Sequence, residues 1–268
     1  MRRLILLLAT IGVAVLLASG AALAITYGQN DGTKHPNVGA LVDEDGEYCS
    51  GTLVQGAPNS KYNPTGAPVF LTADHCYPLE GNTSYITFDP TYTQGSSREY
   101  RGRFIDDPQW YRRGHDIAVV VFDNPGALPN VRKAQLPETG SLSNLSKGQK
   151  FTAVGYGVDQ TLANEGVRRY AVSSLTSQNS YYLSLSQQQK KSFAGTCYGD
   201  SGGPNFLGAG SSETDINAAL TNTGDAMCKS KNTVLRLDTQ AAYNFLVGEQ
   251  TATTADDYVS SDAFVPLP

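Results

Sequence analysis

Hydrophobic positions along most of this chain come in short runs, cut by Gly, Pro, Asn and Asp, and β-branched and aromatic residues dominate the runs. That is the signature of strands separated by turns. A first set is predicted at Val38–Val42, Tyr48–Val54, Val69–Ala73, Ser84–Phe88, Tyr100–Ile105 and Ile117–Phe122. A second set covers Phe151–Tyr156, Arg169–Leu175, Tyr181–Leu185, Ala218–Thr221 and Thr233–Leu237. Between them lies Ala134–Gly148, "AQLPETGSLSNLSKG", whose Ser, Gly and Pro suit a connector. One helix is predicted over Thr239–Val247: Asp238 or Thr239 caps it, Ala242, Phe245 and Leu246 form its apolar stripe, and Gly248 stops it. An all-β protein of two barrels or sandwiches follows.

The only long apolar run is at the start. Arg2 and Arg3 precede Leu4 to Leu17, and small residues fill Ala18 to Ala24, as in a secretory leader. A membrane anchor would need roughly 20 apolar residues, and this run is shorter. No Cys follows it to carry a lipid. Residues 1–24 are therefore expected to be a signal peptide, cut after the Ala22-x-Ala24 site to expose Ile25, and the protein is expected to be secreted. Residues 248–268 are polar and acidic and are expected to form a flexible tail. The remainder divides into 25–137 and 138–247, one β unit each, with the helix in the second.

The 268 residues carry a formal charge of −5 and no basic stripe, which argues against a nucleic-acid partner. In an exported chain the four cysteines read as disulfides with three possible connectivities. The simplest joins neighbours, Cys49 with Cys76 and Cys197 with Cys228. No CxxC, Cys/His cluster or EF-hand-like loop is present in the sequence, so neither a metal nor another cofactor is expected. The sequons at Asn82 and Asn144 matter only in a eukaryotic host.

Candidate chemistry concentrates on few residues. There are three histidines, His35, His75 and His115. His75 ends an apolar strand in "FLTADHC", and Asp116 heads another in "HDIAVVVF". Ser201 sits in "GTCYGDSGGP", where glycines let the backbone approach a substrate and aim N–H groups at a developing oxyanion. A serine hydroxyl needs a histidine base, itself oriented by a carboxylate. "GDSGG" also fits the nucleophile elbow of α/β-hydrolases, but that fold places its histidine after the serine, and here none follows Ser201. Nor does any motif support the subtilisin order.

These segments together resemble the chymotrypsin-fold (trypsin-like) serine peptidases, and the bacterial secreted type in particular. "CSGTLV…FLTADHC", "HDIAVV", "AVGYG" and "CYGDSGGP" match that family's motifs in its order. The resemblance implies two six-stranded antiparallel β-barrels with the active site between them. It implies His75 as general base, Asp116 as its orienting acid, Ser201 as nucleophile, and the N–H groups of Gly199 and Ser201 as oxyanion hole. It also implies a monomer acting on protein or peptide substrates, open to proteinaceous inhibitors and with no membrane contact after cleavage. The alternatives are a catalytically silent binding protein of the same fold and a secreted esterase.

Other expectations follow from the same resemblance. Asp74 stands where the family has Ala; an immediate neighbour rarely reaches the adjacent ring, so Asp74 is expected at the surface, raising the His75 pKa. His35, His115 and the long Gln55–Pro68 loop are expected to be solvated. Gly195 and Thr196 fall at the floor of the specificity pocket, and Gly195 cannot pair with Lys or Arg, so a neutral or apolar preference is expected, with Asp225 and Lys229 on the opposite wall. Finally, a freed Ile25 is expected to turn inward and pair with Asp200, although "ITYG" departs from the family's "IVGG".

Overall fold

The computed structural model describes residues 25–247 apart from Glu80, Asn164 and residues 189–192. The predicted leader and acidic tail lie outside the described residues. Strand β1 is Gln29–Asn30. It is followed by β2 (Val38–Asp43), β3 (Gly46–Val54), β4 (Val69–Thr72), β5 (Thr83–Thr87), β6 (Glu99–Asp106) and β7 (Ala118–Phe122). These last six close into an antiparallel barrel in the order β2-β3-β4-β7-β6-β5. The second barrel uses β8 (Lys150–Gly155), β9 (Arg169–Gln178), β10 (Tyr182–Ser186), β11 (Pro204–Leu207), β12 (Asn217–Gly224) and β13 (Lys231–Arg236). Its order is β9-β10-β13-β12-β11-β8, closed by β8 on β9, with β1 added at the edge of β9.

Strand patterning explains where each barrel packs. In β6, Tyr100, Gly102 and Phe104 are buried while Glu99, Arg101 and Arg103 are exposed, the period of two of a half-buried strand. β4 is buried throughout: Phe70 points into the first barrel, and Val69 and Leu71 point at the second. The first barrel's interior holds Leu41, Leu53, Phe70, Ile86, Phe104 and Val120. The second encloses Phe151, Leu175, Leu183, Leu185 and Val234. A third apolar cluster lies between the barrels, where Val38, Ile117, Val154, Phe206 and Leu220 meet. Burying both faces of β4 thus welds the halves together, so that residues from both can share a site.

Helix α1 (Gln240–Val247) buries Ala242 and Phe245 against that same cluster. Its cap is Thr239, whose Oγ1 accepts the Ala242 N–H at 3.1 Å. Asp238 is otherwise engaged, with Arg236 and the Leu142 N–H. Strand β11 is the one barrel strand the sequence did not reveal. It opens on Pro204, which removes a ladder donor and is tolerated at a first strand position.

The Gln55–Pro68 loop is solvated only in part: Gln55, Pro58, Asn59, Lys61, Pro64 and Thr65 are exposed. Gly56, Ser60, Asn63 and Gly66 are buried, and the Asn63 side chain donates to Ala67 O at 2.7 Å. With Leu136, Phe245 and Leu246 the loop walls an apolar cavity of about 460 Å3.

Candidate active site

His75 lies in a single 3-10 turn, Asp74–Cys76, immediately after β4. Cys76 is tied to Cys49 on β3 by one disulfide, and Cys197 is tied to Cys228 by the other. The first bond fixes the turn that carries the histidine; the second fixes the loop that leads to Ser201. Cys49, His75 and Cys76 offer side-chain atoms within 4.8 Å of one another. Both sulfurs are consumed in the disulfide, so this cluster has no thiolate to give a metal.

Asp116, 5% exposed and just ahead of β7, holds the histidine twice. Its Oδ1 accepts the His75 backbone N–H at 2.9 Å, and its Oδ2 accepts the ring Nδ1–H at 2.7 Å. A carboxylate can only accept, so Nδ1 carries the proton and the lone pair of the neutral ring is on Nε2. Burial opposes charging of the ring, but the Asp116 charge and hydrogen bond, with help from Asp74, raise the His75 pKa above its ordinary value. Asn222 on β12 also donates through Nδ2 to Asp116 Oδ2. The acid is thus gripped from both barrels. Nothing in "TNTGDAMC" announced that role, because it depends on a contact between residues 106 positions apart.

Ser201 is brought to the same place by close backbone packing. Its carbonyl accepts the Ser50 N–H at 2.8 Å and lies 3.7 Å from Cys76 Sγ. Gly202, with φ of 75°, rests so closely on Thr72 that a Cβ there would fall 2.1 Å from its hydroxyl. Gly199 has φ of 87°, and its carbonyl accepts the Ser50 hydroxyl at 2.9 Å. Among the described residues the N–H groups of Gly199 and Ser201 donate to no acceptor, whereas those of Asp200, Gly202 and Gly203 all do. Two unspent donors beside a serine hydroxyl are what stabilisation of an oxyanion requires.

Three carboxylate and histidine expectations need correction. Asp74 is not at the surface: it is 5% exposed, and its Oδ1 accepts the Asp107 N–H at 2.8 Å. Burial, opposed by that hydrogen bond and reinforced by the charges of Asp116, Asp106 and Asp107, pushes its pKa up to about 8. His115 is also buried, with Nδ1 2.8 Å from Asp107 Oδ2. His35 stacks on Phe206 and lies between Asp31 and Glu213. Burial opposes its charge, but the two carboxylates raise its pKa to about 9. Asp31 also pairs with Arg168, which is 1% exposed and reaches the carbonyls of Val38 and Phe88. This network ties the segment after Ile25 to both barrels. Asp74, His115, Asp31 and Arg168 are polar in sequence and buried in space, His35 and Glu213 are half-buried, and only distant partners make that tolerable.

Asp74 supplies a stability prediction. Its carboxyl is easier to protonate folded than unfolded, so its contribution is present below pH 3.8 and is lost as pH rises through about 8. At about 1.4 kcal/mol per pH unit the loss is on the order of 5 kcal/mol. Asp74→Asn keeps an acceptor for Asp107 and cannot ionise. Melting temperatures of the two proteins should coincide near pH 4, separate progressively as pH rises to about 8 and stay apart by a constant amount above it, the variant melting higher. Parallel curves would refute the buried carboxyl.

Ile25 is fully buried, and Thr26 forms a bridge with Gly195 and donates through Oγ1 to the Gly195 and Cys228 carbonyls. Asp200 is also fully buried. Its oxygens accept the Gly157 and Cys197 N–H groups, each at 2.8 Å. Burial outweighs those bonds and raises its pKa to about 7. Among the described residues it has no contact with Ile25, whose nitrogen is an uncharged amide while the leader is attached. Asp225, placed on the pocket wall, instead turns its carboxylate onto the N–H groups of Lys229, Ser230 and Lys231.

The trypsin family model matches residues 31–243, and the chain belongs to the trypsin family. Two of the solved structures it resembles are of heparin binding protein. A point mutant of the human protein is 14% identical with a TM-score of 0.60, covering 82% of this chain and 94% of that one. An atomic-resolution structure is 14% identical with a TM-score of 0.61, covering 85% and 100%. At such identities the likeness concerns the fold. No curated protein matches.

Proposed function

We propose that this protein is a secreted serine endopeptidase of the bacterial type, acting through a Ser201–His75–Asp116 triad and an acyl-enzyme. The observation that carries the reading is the double grip of Asp116 on His75, together with the Gly199 and Ser201 N–H groups that donate to no acceptor among the described residues. Ser201 Oγ attacks the carbonyl carbon of the scissile peptide while His75 Nε2 takes its proton. The oxyanion so formed points at the N–H groups of Gly199 and Ser201. His75 then gives the proton to the leaving amine, and the acyl group remains on Ser201. Water repeats the sequence with the acyl-enzyme, releasing the acid and restoring the serine. Asp116 stays ionised throughout and stabilises the imidazolium.

Heparin is a polyanion, and a chain of net charge −5 with no basic stripe is poorly suited to it. Labelling by a fluorophosphonate together with casein hydrolysis tests the catalytic reading. A mature protein that neither labels nor cleaves would instead be a binding protein; one that hydrolyses esters and leaves casein intact would be an esterase.

Activation follows from Asp200. Removal of residues 1–24 frees the Ile25 amine, whose ordinary pKa is about 7.7–8.0, and a buried unpaired carboxyl is the partner that it needs. The pair raises the amine pKa, so its contribution is complete below about pH 7.7 and is lost as pH rises through the raised value. A protein beginning at Ile25 should be active, and one carrying a single extra residue should have lost most of its activity. Mass spectrometry of the exported protein should give Ile25 as the first residue. Equal activity of the extended form would remove the pairing from the mechanism.

A further inference from the structure

We infer that the apolar block Ala263–Pro268 folds back into the cavity walled by α1, the Gln55–Pro68 loop and Leu136, and clasps the seam between the barrels from outside. The inference goes beyond the peptidase reading and does not rest on it. The cavity, of about 460 Å3, falls in the range of about 300–1,000 Å3 usual for binding pockets. Its buried lining includes Val54, Val69, Val119, Leu237 and Phe245, all members of the cluster between the barrels. Gln55, Glu138 and Thr139, which line it as well, are polar and exposed. An apolar recess with polar groups at its rim is the form of a docking site.

Helix α1 carries more apolar surface than the core uses. Ala242 and Phe245 are its buried residues. Tyr243, Leu246 and Val247 stand at i, i+3 and i+4, the spacing of a second stripe, and all three line the cavity. Tyr243 is 50% exposed, and Leu246 and Val247 are half-buried. A helix face left to water is ordinarily polar. This one asks for a cover.

The chain itself brings one. Val247 is both a wall of the cavity and the residue from which the chain runs on. Gly248–Asp262 is mostly Thr, Ser, Ala and acids, with only Tyr258 and Val259 large and apolar, whereas every residue of Ala263–Pro268 is apolar. A spacer of that length spans about 20 Å on average. It holds the block beside the cavity at an effective concentration on the order of millimolar, an advantage denied to a second copy or a free ligand. The prolines suit the place. An apolar recess offers few acceptors for backbone N–H groups, and Pro266 and Pro268 have none to satisfy. Their fixed φ lessens the entropy lost on docking. Tyr62 and Tyr243 supply aromatic walls of the kind on which proline-bearing segments pack.

The test compares the protein carrying residues 25–268 with one ending at Asp262. Removing the block should lower the melting temperature by about 4–8 °C and speed hydrogen exchange of the Tyr243–Val247 amides by about ten-fold. Phe264→Asp in the full chain should do the same. Leu246→Asp should lower the melting temperature too, and removing the block from that variant should then cost nothing further. The differences should hold over about a hundred-fold range of protein concentration. A difference that grows with concentration, with dimers in sedimentation, assigns the cavity to a second copy and overturns the inference. So does an apolar molecule that stays bound to the full chain in native mass spectrometry. A block whose removal costs the Leu246→Asp protein as much as the wild type docks elsewhere, and one whose removal changes neither melting nor exchange does not dock; either result overturns it. Melting and exchange are read whether or not the protein cleaves peptides, so failure here leaves the peptidase reading standing.

Discussion

Replacing Ser201 by alanine is expected to lower kcat/KM for peptide hydrolysis by about four to six orders of magnitude and to abolish fluorophosphonate labelling. The fold should be unaffected, because no hydrogen bond of the described residues uses the Ser201 hydroxyl. What is lost is the hydroxyl proposed as nucleophile, on a residue whose carbonyl lies 3.7 Å from Cys76 Sγ in the turn that carries His75. A small residue of activity should persist, since the two N–H donors and the binding cleft survive and can still favour attack by water. Steady-state assays with melting curves separate this from misfolding. A variant within ten-fold of wild type would remove Ser201 from the chemistry.

The second large effect belongs to the acid. Asp116→Asn should reduce kcat by about 10^4-fold, although the substitution adds no volume. An amide at 116 can place its NH2 toward His75 Nδ1, and the ring would then carry its proton on Nε2, where the base must accept one. The other orientation, which would keep the bond from Asn222, would set the NH2 against the His75 backbone N–H. The pH profile adds a check on sign. The Asp116 charge raises the His75 pKa, so its removal should move the acid limb of the profile to lower pH while the plateau falls. An unchanged acid limb would mean that another group controls the histidine.

Much of the fold could be read from periodicity. Strands β2 to β7 and five of the six in the second barrel announce themselves as apolar runs bounded by turn residues, and α1 by its stripe and stop. β11 escaped because its Pro204 closes the serine motif and its buried face is only a few residues long. The two-residue β1 escaped because it has no hydrophobic pattern; it exists because β9 offers an open edge.

The roles proposed for Ser201, His75 and Asp116 were legible for a different reason. The sequence orders histidine, acid and serine along one chain, surrounds the serine with glycines, and places a cysteine next to the histidine and another shortly before the serine. Those features are local and covalent, and they are enough to exclude the α/β-hydrolase order. What sequence could not supply is environment. Asp74, His35 and His115 look like solvated side chains because burial of a polar group is decided by partners elsewhere: Asp107 for the first and third, Asp31 and Glu213 for the second. Asn222 becomes part of the triad's support only when β12 is laid beside the head of β7. The chain alone determined which atoms can do the chemistry, through residue type and order; the tertiary structure decided their charge and tautomer, because those depend on water excluded and partners supplied across the barrel interface.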